Sequence, residues 1–210
     1  MDDIHYKVVL IGGENVGKID IIRRFINGQQ YSDNSVLATT GASHETKTFD
    51  LPSGKSITLD IWDTPGQTRY ISPVKIILKK ADAVILVYDI TNEKSFTELK
   101  EYWYEQIKQN LDKQVIFVVA GNKNELYDKE KVSKSKGIGF AKSIGTEFFS
   151  TSAINNSGIQ EMFEFIGQKL LDNKVELIKE NNKDEFINEN NKDELIKEKD
   201  KENKKNCLIY

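Results

Sequence analysis

The stretch Gly12-Gly13-Glu14-Asn15-Val16-Gly17-Lys18-Ile19 decides how the rest of this sequence is interpreted. It follows an apolar run at residues 8–11 and leads into residues 21–25, which have the pattern of a helix. Gly-x4-Gly-Lys between a strand and a helix predicts a phosphate-binding loop, because successive backbone N–H groups and the helix N-terminus both attract phosphate oxygens. Lys18 is expected to reach the outer phosphates of a bound nucleotide.

The same stretch departs from that pattern at Ile19. The residue after the lysine is expected to be Ser or Thr, whose hydroxyl binds Mg²⁺. Ile19 has no side-chain oxygen, and Mg²⁺ demands near-ideal octahedral geometry. Asp20 is the next residue, but it lies about 100° further round the helix and is a poor substitute. The sequence therefore predicts a nucleotide site with a weakened metal site.

Composition divides the chain into a globular part and a charged tail. The chain has 210 residues, of which 38% are apolar, and residues 172–206 are nearly all Lys, Glu, Asp and Asn. Residues 180–188 and 189–197 are near-identical repeats. A nine-residue step turns a helix by about 900°, which places successive apolar pairs on opposite faces and argues against a coiled coil. The tail is predicted to be a largely disordered spacer, and a charged helix continuing from Leu171 is the alternative.

Several classes of protein are disfavoured by the bulk properties of the chain. The net charge of −3 gives no reason to expect a nucleic acid as partner. The apolar runs are too short to span a bilayer. A single cysteine rules out an internal disulfide and suits the cytosol.

Strand and helix patterns alternate along the globular part, which favours a mainly parallel sheet with helices on both faces. The predicted strands are residues 4–11, 46–51, 56–62, 83–89, 115–121 and 146–149. The predicted helices are residues 18–27, 74–80, 94–110, 133–144 and 159–171. A turn signal at residues 52–55 joins the second and third strands into a hairpin with one antiparallel edge strand. Ligands of such folds bind at the carboxyl ends of the strands.

Further motifs follow at those strand ends and in the loop after the first helix. They are Thr39-Thr40-Gly41, Asp63-Thr64-Pro65-Gly66-Gln67, Asn122-Lys123-Asn124-Glu125 and Thr151-Ser152-Ala153. Together with the phosphate loop, in this order and spacing, the set resembles the small GTPases of the Ras superfamily across about residues 4–171. Trp62 before Asp63, and Val87-Tyr88-Asp89 with Thr91 and Ser95-Phe96, are similar to the Rab branch. The resemblance implies the α/β P-loop NTPase (small G-protein) fold, with a mixed, mostly parallel six-stranded sheet.

The resemblance also implies a role for each motif. GTP or GDP would be bound by Gly13, Glu14, Asn15, Val16, Gly17, Lys18, Ile19, Asp20, Thr39, Gly66, Asn122, Lys123, Glu125, Ser152, Ala153 and Ile154. Mg²⁺ would be held by Asp63 and Thr39, with the adjacent Thr40 as the alternative switch threonine. Gln67 would be the catalytic residue that orients the attacking water.

Two further departures from the family pattern bear on activity. Glu125 stands where the family has Asp; it keeps the charge that accepts two N–H bonds from guanine, but its side chain is one methylene longer. Glu14 stands where Rab proteins usually carry Ser, and its carboxylate near the γ-phosphate is expected to hinder hydrolysis.

The last four residues, Cys207-Leu208-Ile209-Tyr210, fit the C-a-a-X pattern and predict prenylation of Cys207. A single lipid gives only marginal membrane binding. The protein is therefore expected to be cytoplasmic and reversibly attached to the cytoplasmic face of intracellular membranes.

The sequence thus predicts a GTP-binding domain at residues 1–171, a spacer at 172–206 and a lipidation motif at 207–210. The predicted function is a Rab-like switch in vesicle traffic with slow GTP hydrolysis. An exchange factor, a GTPase-activating protein and effectors would bind its switch loops. The alternative is a pseudo-GTPase scaffold with weak or no nucleotide dependence. An ATP-binding protein is disfavoured by Asn-Lys-x-acid and Thr-Ser-Ala.

Overall fold

One six-stranded sheet organises the described part of the chain, which in this computed structural model comprises residues 4–28, 43–109, 111 and 115–176. Its strands are β1 (His5–Ile11), β2 (Ser43–Asp50), β3 (Ser56–Asp63), β4 (Ala83–Asp89), β5 (Ile116–Asn122) and β6 (Glu147–Ser150). The strand order is β2-β3-β1-β4-β5-β6. All neighbours are parallel except β2 and β3, which form the predicted antiparallel hairpin. The predicted α/β fold class, mixed and mostly parallel, is confirmed.

The helices connect these strands and cover the sheet. They are α1 (Lys18–Asn27), α2 (Ile71–Ile77), α3 (Glu93–Glu98), α4 (Glu105–Ile107), α5 (Lys134–Ser143) and α6 at residues 159–176. A π-helical segment, Leu99–Tyr104, joins α3 to α4, and 3₁₀ turns cover Thr68–Tyr70 and Asn124–Lys129.

Burial explains why the central strands are continuous apolar runs. Every residue of β4 is buried, as a strand covered on both faces requires. The edge strand β2 is mostly exposed, and it pairs with β3 along its whole length, from Ser43 opposite Asp63 to Asp50 opposite Ser56. This sheet brings the carboxyl ends of β1, β3, β4, β5 and β6 to one edge.

Several predicted element boundaries differ from the structure, among them those of β2, of α2 and of the helix predicted at residues 94–110. Strand β2 begins at Ser43 rather than at residue 46, because pairing with β3 extends it beyond its alternating pattern. Helix α2 begins at Ile71 rather than at residue 74, after the 3₁₀ turn. The single helix predicted at 94–110 is interrupted by the π segment, in which Leu99 and Trp103 are fully buried.

By its internal contacts the chain divides into two units, Met1–Leu170 and Leu171–Tyr210. Of the second unit the structure describes residues 171–176, which are helical. The division into a domain, a spacer and a lipidation motif stays a prediction, because most of the spacer, including the repeats, and Cys207 lie outside the described residues. No helix in the described ranges combines the length and the apolar character that a bilayer span needs.

Candidate functional site

The loop between β1 and α1 carries two residues in the left-handed region. Gly17, at the N-cap of α1, has φ 89°, a conformation that favours glycine. A Cβ at Gly17 would also lie 2.3 Å from Nδ2 of Asn122. Asn15 has φ 58°, which asparagine tolerates better than most residues. The sequence of the loop thus matches the tight backbone that a phosphate cradle needs.

Lys18 folds its side chain back over this loop. Its ammonium donates hydrogen bonds to the carbonyls of Gly12 at 2.9 Å and Gly13 at 2.8 Å. Burial lowers the pKa of Lys18 to about 8, and the nearby charges of Asp63 and Glu14 oppose this shift in part. An anionic ligand beside Lys18 would stabilise the buried ammonium further.

Asn122, the last residue of β5, ties the phosphate loop to the opposite end of the site. Its Nδ2 donates to the carbonyl of Val16 at 2.9 Å. Its Oδ1 accepts a hydrogen bond from Oγ1 of Thr151 at 3.1 Å. Asn122 and Thr151 are both buried, so this connection is shielded from water.

Lys123 makes a second connection to the same loop. Its ammonium donates to the carbonyl of Asn15 at 2.7 Å and forms an ion pair with Asp89 at 2.7 Å. Asp89 is itself fixed, since its Oδ1 accepts from the backbone N–H and the hydroxyl of Thr91 at 2.8 and 2.7 Å. Lys123 has φ 66°, so its unusual backbone conformation is accompanied by contacts that hold its side chain in place.

Glu125 lies in the 3₁₀ turn after β5, where the resemblance places base recognition. Its Oε2 is buried and accepts no hydrogen bond within the described ranges. A buried carboxylate oxygen without donors is costly. Oε2 of Glu125 is therefore suited to accept a hydrogen bond from a ligand that presents N–H groups along one edge.

The loop after β6 completes the candidate base site. Oγ of Ser152 accepts hydrogen bonds from the backbone N–H groups of Ile154 and Asn155, both at 3.2 Å. Ala153 is almost fully buried, whereas Ile154 is 53% exposed. The carbonyls of Ala153 and Ile154 accept hydrogen bonds from the buried guanidinium of Arg24, on α1.

The end of β3 brings the remaining predicted residues to the phosphate loop. Asp63 is buried close enough to Lys18 that its charge opposes the lowering of the lysine's pKa by burial. Gly66 lies so close to the loop that a Cβ would come within 2.5 Å of the carbonyl oxygen of Gly13. Gln67 follows, and its Oε1 is buried without a hydrogen-bond partner among the residues that the structure describes.

The structure describes only part of the predicted metal-binding site. Ile19 occupies the first turn of α1 and offers no oxygen. The described residues contain no group of three or more His, Cys, Asp or Glu side chains arranged to hold a metal ion. Of the predicted Mg²⁺ ligands the structure describes Asp63, while Thr39 and Thr40 lie outside the described residues. Position 19 thus supplies no side-chain oxygen, and the weakened metal site stays a prediction.

One residue of this site, Arg24, was missed in the sequence. Two pairings were missed as well, that of Asp89 with Lys123 and that of Thr151 with Asn122. A basic residue among the apolar positions of α1 is the one signal that could have indicated Arg24. The pairings of Asp89 and Thr151 leave no local signal, because they join segments that are distant in the sequence.

Comparison with known proteins identifies the family. Residues 7–172 match the model of the Ras family. The chain is 36% identical to Ras-related protein Rab-13 of Canis lupus familiaris over 166 residues, which cover 79% of this chain and 80% of the relative. It is 34% identical to human Ras-related protein Rab-8B over 169 residues, or 80% of each chain. It is 36% identical to Ras-related protein RabJ of Dictyostelium discoideum over 168 residues, or 80% of this chain and 64% of the relative. The chain therefore belongs to the Ras family, as a Rab-like small GTPase.

Proposed function

We propose that this protein is a GTP- and GDP-dependent switch in intracellular vesicle and membrane traffic, and that it hydrolyses GTP slowly. The observation that carries nucleotide binding is the double connection from Asn122 and Lys123 to the carbonyls of Val16 and Asn15. These bonds join the predicted base end and phosphate end into one cradle. The role in traffic rests on membership of the Rab-like group.

The base end supports guanine as the preferred base. The carboxylate of Glu125 would accept the N1–H and the 2-amino group, a pair of donors that adenine does not present. The buried, unbonded Oε2 of Glu125 supports this assignment. The backbone N–H of Ala153 would donate to the 6-oxo group. Lys18 and the N–H groups of Gly13–Lys18 would hold the phosphates.

Slow hydrolysis follows from charge at the phosphate end. Phosphoryl transfer is accelerated mainly by positioning and by neutralisation of developing negative charge. Glu14 is close enough to Lys18 to influence its pKa, so its carboxylate adds negative charge where neutralisation is needed. Ile19 withholds a metal ligand in the same region. Gln67 would still be available to orient water.

Regulation would follow the family pattern. The loop containing Thr39 and the segment 66–70 would be ordered by the γ-phosphate and released when it is lost. Exchange factors, GTPase-activating proteins and effectors would bind these segments. A prenyl group on Cys207 would attach the protein to the cytoplasmic face of intracellular membranes.

A scaffold that binds partners without nucleotide control is the second candidate. It is favoured by the three substitutions in the site, Ile19, Glu14 and Glu125. The two candidates differ in one measurable property, which is whether the protein carries a nucleotide.

The deciding experiment is the nucleotide content of the purified full chain. The protein is denatured, the released nucleotide is separated by chromatography, and labelled GTP is titrated with Mg²⁺ and with a chelator. Stoichiometric guanine nucleotide supports the switch, and a predominance of GTP supports slow hydrolysis. A folded, empty protein that does not bind labelled GTP would favour the scaffold.

A further inference from the structure

Arg24 is a buried cation that contacts backbone carbonyls rather than a ligand. Its Nε donates to the carbonyl of Ala153 at 2.5 Å and its Nη2 to the carbonyl of Ile154 at 2.7 Å. Its Nη1 donates to the carbonyl of Gly28, after the end of α1, at 3.0 Å. The side chain is only 7% exposed. One guanidinium thus connects helix α1 to two consecutive residues of the loop after β6.

These contacts fix the direction of the backbone around Ala153. Two adjacent carbonyls are held from the side of α1, and on the other side Oγ of Ser152 accepts from the N–H of Ile154. The N–H of Ser152 is also bonded, to the carbonyl of Ser157 at 3.0 Å. With the peptides on both sides restrained, the N–H of Ala153 has little freedom to turn.

Only arginine can make this set of contacts. Its planar fork offers several N–H donors in fixed directions, whereas the lysine ammonium is a compact charge on a flexible stem. A lysine at position 24 could keep a positive charge near the loop, but it could not hold both carbonyls and that of Gly28 in the same geometry. Charge and geometry can therefore be separated by substitution.

We propose that Arg24 is a positioning residue for recognition of the purine 6-oxo group: it holds the loop after β6 so that the N–H of Ala153 points at that oxygen. This inference rests on the nucleotide binding proposed above. It assigns to α1 a part in base selection, in addition to its part in phosphate binding through Lys18.

The test compares three nucleotides on the full chain. GDP is the reference. In 6-thio-GDP a larger and weaker acceptor replaces the 6-oxygen, while the N1–H and 2-amino groups are kept. IDP lacks the 2-amino group but keeps the 6-oxygen. Dissociation constants are measured for the wild type, for Arg24→Lys and for the control Arg23→Lys, which makes the same change at the exposed neighbouring residue.

The wild type and Arg23→Lys are expected to bind GDP about tenfold more tightly than 6-thio-GDP, in line with the loss of one good hydrogen bond. In Arg24→Lys this ratio should fall to about twofold or less, whereas the ratio of GDP to IDP should stay unchanged. A purely structural role would weaken all three nucleotides equally and leave both ratios intact. That result, or an unchanged GDP to 6-thio-GDP ratio with normal affinity, would overturn the proposal.

A second readout uses the wild type, in case the variant does not fold. The Arg24 Nε–H signal in nuclear magnetic resonance should shift more on addition of GDP than of 6-thio-GDP, because the hydrogen bond to the loop responds to the 6-oxo contact. Equal shifts with both nucleotides would count against the proposal. A wild type that binds none of the three nucleotides would instead refute the proposed function itself.

Discussion

At Ile19 an aliphatic side chain occupies the first turn of α1, directly after the lysine whose ammonium lies over the phosphate loop. Replacing it with threonine introduces a hydroxyl on a side chain that is also branched at Cβ. We expect Ile19→Thr to slow the release of GDP about tenfold in the presence of Mg²⁺, because one oxygen ligand is added to the metal site. The measurement is the release rate of a fluorescent GDP with and without a chelator.

Ile19→Val is the matched control for this change. Valine has the shape of threonine without the oxygen, so its release rate should remain close to that of the wild type. If threonine and valine give the same rates, and neither rate responds to the chelator, the hydroxyl does not determine metal binding at this position.

Glu14 is the second residue whose chemistry can be isolated. We expect Glu14→Gly to raise the single-turnover rate of GTP hydrolysis about tenfold, because it removes negative charge from the region where charge develops. Glu14→Gln, which keeps the size and removes the charge, should give a similar rise. A rise with glycine alone would assign the effect to volume, and no rise with either would point to Ile19 as the obstacle.

Glu125 provides a third test at the level of single side chains. We expect Glu125→Asp to tighten GTP binding about tenfold or more, because a shorter carboxylate can form both hydrogen bonds without strain, and one charged hydrogen bond contributes about 1.5–3 kcal/mol. Titration of labelled GTP measures the effect, with Glu125→Gln as the control that should weaken binding. Equal affinities for the wild type and Glu125→Asp would mean that the glutamate already fits the base.

The role of a site residue could be predicted only where the residue belongs to a local sequence motif. The phosphate loop and the pair Asn122-Lys123 could be predicted because their backbone and side-chain demands are contained in a few consecutive residues. The role of Arg24 could not be predicted, because its partner Ala153 is 129 positions away in the sequence. Contacts of that kind depend on how helices and strands pack, and no short pattern encodes them.

The junction of β1 with the start of β4 contains a titrating group. Burial raises the pKa of Asp82, although the hydrogen bond from the backbone N–H of Lys7, at 2.6 Å, and the charge of Lys7 oppose the shift. The folded protein therefore holds the Asp82 proton to a higher pH than the unfolded chain, in which the group titrates at about pH 4. Above that pH the unfolded chain binds fewer protons at this group than the folded protein does. The free energy of unfolding therefore falls as the pH rises through the folded pKa of Asp82.

An asparagine side chain does not titrate, which makes Asp82→Asn the variant of choice. We expect the stability of the wild type, relative to Asp82→Asn, to fall as the pH rises above about 4. Urea unfolding of both proteins at several pH values from about 4 upward measures the difference. A difference that is constant or increases with pH would contradict the assignment.

Among the elements, burial decided which boundaries could be predicted. The buried strand β4 was predicted at its observed bounds, Ala83–Asp89, because it is one uninterrupted apolar run. The limits of β2 could not be predicted from the sequence, because its residues are mostly exposed and its length is set by pairing with β3. The π segment Leu99–Tyr104 escaped prediction because its apolar spacing also fits an ordinary helix.

For the molecule as a whole, the proposed lipid anchor can be separated from the folded domain. We expect Cys207→Ser to move most of a membrane-bound pool into the soluble fraction, because removing the only cysteine abolishes prenylation. Cell fractionation measures the change. Asn206→Ser, which makes the neighbouring substitution but keeps the C-a-a-X motif, should leave the distribution unchanged; a persistent membrane fraction in Cys207→Ser would refute the anchor.

Helix α1 begins at Lys18, over the phosphate loop, and also carries Arg24, whose guanidinium holds the loop after β6. One helix therefore connects the residues proposed to bind the phosphates with those proposed to bind the base. A partner protein that displaces helix α1 would disturb the contacts to the base and the contacts to the phosphates at the same time. Nucleotide should consequently leave in a concerted step, without a long-lived intermediate held by the base alone or by the phosphates alone.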